Sequence, residues 1–180
     1  MLKGNLGRGV IKISAVKPEH HRIVAPAMVF NNQEDVKEAY HKGLLNKDVV
    51  VVVRFQGPKA NGMPELHALT PILSNIQDMG FKVALITDGR MSGASGKVPS
   101  AIHITPEAID GGTISKIQDG DKIEIDANTG KLNLNEDYSN RKNSKLEKDF
   151  NVGFGRNLFS LLRKNAISAE SGAGLNLIND

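Results

Sequence analysis

Two glycine-rich segments hold most of the residues whose types and spacing could do chemistry. The first, Thr87 to His103, reads TDGRMSGASGKVPSAIH and follows the apolar run KVALI. A glycine-rich loop with a lysine after a buried strand is a setting in which backbone amides cradle a phosphate. The nucleotide-binding pattern requires a glycine five residues before Gly96 and a hydroxyl residue after Lys97, where Met91 and Val98 stand. It is therefore not a Walker loop. What remains is Gly89, Gly93 and Gly96, the hydroxyls of Ser92 and Ser95, and the cations Arg90 and Lys97. Glycines let amides converge on an anion that the cations neutralise. A tight turn that needs glycine only for its backbone fits the same pattern.

The second segment, Arg54 to His67, reads RFQGPKANGMPELH and follows VVVVV. Ligands of α/β sheets collect outside the carboxyl ends of strands, and both segments sit at such ends, so the two loops could form one site. Glu65 could be a metal ligand or a base. An acidic residue in a first helical turn is also favoured by the helix dipole alone. The histidines are weaker candidates. His20 and His21 lie in a polar turn, His41 near a helix end, His67 one turn after Pro64 and His103 inside an alternating strand. None has a partner at metal-ligand spacing, and there is no H-E-x-x-H pattern.

The elements that must position these loops alternate. VIKISAV (Val10 to Val16) and IVAPAMVF read as strands, and NNQEDVKEAYHKG reads as a helix, with Asn31 a candidate N-cap, Glu34 three residues on and Gly43 at its stop. VVVVV and KVALITD suit strands covered on both faces. Between them a helix is predicted from Pro64 to about Gly80, bent at Pro71. AIHIT, TISKI, DKIEID and KLNLN are short alternating runs, and ANTG between the last two reads as a hairpin turn. The spacing predicts one sheet-rich α/β domain over 1–166, whose mixed β-sheet can close into a barrel flanked by helices, closure itself being left open by the pattern. It includes a charged segment at 136–150 and a final amphipathic helix at about 155–166, with a loose tail at 167–180.

With 180 residues, 39% hydrophobic and 24% charged, the chain is long enough for a real core. Its apolar runs are far too short to span a membrane, and no signal peptide opens it, which makes a cytoplasmic protein the expectation. A net charge of +3, two Tyr, six Phe and no Trp argue against nucleic acid as a partner. There is no cysteine, which excludes disulfides, a cysteine nucleophile and a thiolate-held iron-sulfur cluster within this chain.

Four ordered stretches, GNLGRGVIKISAV, VVVVRFQGPKANGMPELHAL, VALITDGRMSGASGKVPSAIHITPEA and VGFGRNLFSLLR, resemble the C-terminal part of the iron-sulfur sugar-acid and dihydroxy-acid dehydratases. The resemblance implies a swivelling β/β/α domain of a hydro-lyase, inactive alone, whose cluster-binding N-terminal domain is not in this chain. It implies an iron-sulfur cluster held by that domain, Mg2+ or a similar divalent cation, and a homo-oligomer when full length. Carried over residue by residue, Ser92 is implied as the base, acting as an alkoxide, and Glu65 as a carboxylate that completes the metal site. Lys59, Asn61, Arg90, Ser95 and Lys97 are the candidate substrate contacts. Lys97, absent where the dihydroxy-acid branch has DGRFSGGTSG, is the kind of cation a phosphorylated substrate needs, so a small sugar-acid phosphate is the expected ligand. The alternatives are an unphosphorylated sugar acid or a dihydroxy acid as substrate, or a stand-alone module that binds a small anion.

Overall fold

The computed structural model describes residues 1–91, 96–146 and 157–176. Eight strands close into a barrel in the order β1-β2-β6-β5-β4-β3-β7-β8. They are β1 (Leu2–Gly4), β2 (Gly7–Val10), β3 (Arg22–Phe30), β4 (Val49–Val53), β5 (Val83–Thr87), β6 (Ser100–Thr105), β7 (Lys122–Asp126) and β8 (Lys131–Leu134). Strands β3, β4, β5 and β6 run parallel to one another, whereas β2 on β6 and β7 on β3 are antiparallel. The barrel shuts where β1 meets β8 in parallel at Lys3 and Lys131. Closure leaves no unpaired edge, so the sheet completes its own hydrogen bonding without a second chain.

The parallel half follows from its side chains. All five valines of β4 have no exposed surface, since alternate residues point to opposite faces and both faces are covered. Val50 and Val52 enter the barrel core with Ile23, Ala84, Ile86 and Ile104. Val49, Val51 and Val53 pack outward with Leu69, Leu73 and Ile76. Each buried Val, Leu or Ile among them contributes about 1.5–3 kcal/mol. The outer layer is α1 (Gln33–His41) and α3 (Leu69–Asp78), and a single turn, α2 (Pro58–Asn61), precedes α3.

Several local expectations shift. Asn32, not Asn31, caps α1, its side chain accepting from the Asp35 amide. Residues 11–16 are not a strand: 11–13 are irregular, and the chain turns over 13–16, where the Val16 amide donates to the Ile13 carbonyl. The run at Thr113–Lys116 is a 3-10 turn: its Ile114 and Ser115 are both buried, which an alternating half-exposed strand would not allow. The helix expected from Pro64 begins at Leu69, and Pro71 is its third residue. The first turn has no internal acceptors for its N–H groups, so that proline costs no hydrogen bond and bends nothing. Residues 136–146 contain no helix; Arg141 pairs with Asp121, and Tyr138 and Leu146 pack on the barrel core. The last helix, α4 (Ser160–Lys164), leaves Leu158, Phe159 and Leu161 more than half exposed. Beyond it, Ala166 bridges Leu175 and the Ile167 amide donates to the Gly174 carbonyl.

Candidate functional site

The carboxyl ends of β4 and β5 stand side by side, Val53 opposite Thr87, and both glycine-rich segments leave from there. Asp88 stitches their starts together. Its carboxylate, wholly buried, accepts from the amides of Phe55 at 3.1 Å and Gln56 at 2.8 Å in the first loop, and of Ala108 at 2.9 Å beyond β6. Burial pushes the Asp88 carboxyl above the usual range, against the pull of those amides. The close approach demands glycine at position 89, where a Cβ would overlap Gln56.

Glu65 and Arg90 meet across the two loops. They form an isolated parallel bridge, the Leu66 amide donates to the Arg90 carbonyl, and Arg90 Nη1 lies 3.4 Å from Glu65 Oε2. Arg90 Nε also donates to the Met63 carbonyl at 2.8 Å, which holds the guanidinium against the first loop. Because α3 starts only at Leu69, Glu65 is not in a first helical turn, and the dipole account of its presence does not apply. Asn61 donates to Gln56 Oε1 at 3.0 Å, and Lys59 Nζ pairs with Asp110 at 2.6 Å.

Among the described residues, three non-glycine positions at this end adopt left-handed backbone: Phe55 at φ 63°, Met63 at 59° and His103 at 57°. Such conformations persist only where their surroundings hold them, and they cluster at functional sites. His103, set aside by its place in an alternating run, donates its amide to Gly89. Partial burial, then the nearby Arg90 charge, lowers its imidazole pKa. Glu107 was not visible as a candidate in the sequence. It is 4% exposed and accepts from the Lys59 and Ala60 amides, each at 3.2 Å. No sequence pattern marks it; only its place in ITPEA, just after β6, would draw the eye.

Of the expected site residues, the structure brings Lys59, Asn61, Glu65 and Arg90 to one end of the barrel. Ser92 and Ser95 lie outside the described residues. Lys97 lies apart from these four. Its Nζ pairs with Asp78 at 2.7 Å and its carbonyl accepts from Gln77, both at the far end of α3. At about 1.5 Å per residue, α3 separates its ends by about 13 Å. The reason is topological: β6 runs parallel to β5, so Lys97, just before β6, lies at the opposite end of the sheet from Arg90, just after β5.

Among the described residues no group of three or more His, Asp or Glu side chains could hold a metal. One carboxylate, Glu65, can complete a cation site whose other ligands come from elsewhere but cannot build one. The lack of cysteine means that this chain has no thiolates for an iron-sulfur cluster.

The profile of a family described as dihydroxy-acid/6-phosphogluconate dehydratase C-terminal matches residues 1–173. The chain is 53% identical over 176 residues to a phosphogluconate dehydratase of Pseudomonas aeruginosa, covering 96% of this chain and 29% of that protein. It is 55% identical over 175 residues to the phosphogluconate dehydratase of Zymomonas mobilis, with the same shares. A dihydroxy-acid dehydratase of Caldanaerobacter subterraneus is 45% identical over 137 residues, 74% of this chain and 24% of that one. The chain thus spans less than a third of the length of these relatives.

Proposed function

The chain belongs to the dihydroxy-acid/6-phosphogluconate dehydratase C-terminal family, and on that premise we propose that it is the substrate-covering part of a phosphogluconate dehydratase. The whole enzyme, in this reading, is a cytoplasmic hydro-lyase that converts 6-phospho-D-gluconate to 2-dehydro-3-deoxy-6-phosphogluconate in the Entner-Doudoroff pathway. The higher identity to two phosphogluconate dehydratases than to the dihydroxy-acid enzyme supports the phosphosugar branch.

A proton leaves the carbon beside the carboxylate and hydroxide leaves its neighbour, so one water is released; the enol that forms tautomerises to the 2-keto acid. Ser92 is proposed to take that proton. A serine hydroxyl is far too weak an acid to be an alkoxide unaided, so neighbouring positive charge must stabilise it. Arg90, two residues earlier in the chain, is one source of such charge. An iron-sulfur cluster, whose thiolate ligands would come from the rest of the enzyme, would supply Lewis acidity toward the departing hydroxyl when bound. Glu65 gives one ligand to a divalent cation, while Lys59, Asn61, Arg90 and Ser95 hold the anionic ends of the substrate.

The observation that carries the reading is the junction of the two loops, where Arg90 meets Glu65 at the carboxyl ends of β4 and β5. Leu158, Phe159 and Leu161, all exposed within one four-residue stretch, support a partner domain on this chain, since large apolar side chains grouped at a surface are candidates for an interaction site. The test compares turnover of 6-phosphogluconate, gluconate and a branched dihydroxy acid by the full-length enzyme. Turnover confined to 6-phosphogluconate is expected, and preference for either other acid moves the assignment to that branch.

A further inference from the structure

Glu107 is not among the candidate residues, yet it is tied to the loop that bears three of them, Lys59, Asn61 and Glu65. Its Oε1 accepts from the Lys59 amide and its Oε2 from the Ala60 amide. Those are amides of the first turn of α2, which have no acceptor within the helix. A second observation agrees. Gly57 has no room for a side chain, because a Cβ there would overlap the Glu107 carboxylate. The residues after Glu107 extend the grip, with Asp110 pairing with the Lys59 ammonium and the Ala108 amide bound by Asp88.

We infer that Glu107 is a positioning residue: its carboxylate clamps the Gly57–Asn61 turn to the end of β6 and thereby sets where Lys59, Asn61 and Glu65 present their side chains. The inference rests on the dehydratase reading for its catalytic consequence. Both oxygens are needed as acceptors, one for each amide, so a carboxylate is required and an amide is not an equivalent. In Gln the NH2 would face an N–H donor, and one of the two bonds is lost. A turn that loses its anchor samples positions away from the productive geometry, where displacement of about 1 Å is enough to cost on the order of 100-fold in rate.

The test has two arms. In the 180-residue chain, whose closed barrel contains its own core, Glu107→Gln is expected to speed amide hydrogen exchange at Lys59 and Ala60 at least tenfold while Val51 and Leu85 keep wild-type rates. Gly57→Ala, which displaces the carboxylate without removing it, is expected to do the same and serves if Glu107→Gln does not fold. In the full-length enzyme, well below its melting temperature, kcat/KM for 6-phosphogluconate is expected to fall at least tenfold in either variant. Unchanged exchange at Lys59 and Ala60, or wild-type kcat and KM in folded variants, overturns the inference. If the wild-type enzyme does not dehydrate 6-phosphogluconate at all, the functional reading fails, and the exchange arm still decides whether Glu107 holds the turn.

Discussion

Replacing Glu107 by glutamine should change how stability responds to pH. The Glu107 carboxyl is pushed from 4.5 up to about 7, chiefly by burial and further by the nearby Asp88 and Asp110 charges, with the Lys59 and Ala60 amides pulling the other way. A carboxyl that holds its proton more tightly in the folded chain adds stability below the unfolded pKa. That stability drains away as pH rises from about 4.5 through about 7, where ionising the buried group costs the folded state alone. At about 1.4 kcal/mol per pKa unit, the displacement amounts to on the order of 3 kcal/mol. A carboxylate that grips the turn is therefore held at the expense of stability. Asp88 titrates in the same sense, so the wild-type profile alone does not isolate Glu107; its difference from Glu107→Gln does. Urea unfolding of both proteins between pH 4.5 and 8 measures it. Wild type should lose on the order of 3 kcal/mol more than the variant over that range. Parallel profiles would refute the reasoning, because Glu107 would then ionise in the folded chain as easily as in water.

Ser92→Ala should lower turnover of the full-length enzyme by about 100-fold or more, the usual share of a positioned base, with the cluster absorbance unchanged; full activity removes Ser92 from the mechanism. Lys97→Ala should leave KM for 6-phosphogluconate unchanged and cost less than about 1 kcal/mol, since its pair with Asp78 is solvent-exposed. A loss confined to the phosphorylated substrate would contradict its placement at the far end of the barrel. Asp88→Ala should destabilise the chain by about 3 kcal/mol or more in a urea melt, as it strands three buried amides, whereas a cost below about 1 kcal/mol would mean those amides find other acceptors. The 180-residue chain alone should unfold cooperatively and show no dehydratase activity; turnover by it would mean that no further domain is needed.

The apolar pattern made the parallel strands legible. A run such as Val49 to Val53 has no polar face to turn toward water, so it must be covered on both sides. The ANTG hairpin and the stop of α1 at Gly43 could be read from turn chemistry for the same local reason. Local pattern failed where a distant contact decided the outcome. Residues 11–16 alternate as a strand does but β2 has already ended at Val10, and Pro64 fits a helix start although Glu65 is instead paired with Arg90.

Residue types and their order were enough to mark two loops at strand ends, to supply Lys59, Asn61, Glu65 and Arg90 as their polar residues, and to exclude a thiolate-held cluster from this chain. Which of those residues share a site was decided by the tertiary structure. Lys97 is close to Arg90 in sequence but sits at the other end of the sheet, because β5 and β6 are parallel and Lys97 precedes β6 while Arg90 follows β5. Glu107 is 48 residues from Lys59 in sequence and bonded to its amide. Hydrogen bonds and charge act over a few ångströms of space, and only closure of the barrel sets those distances.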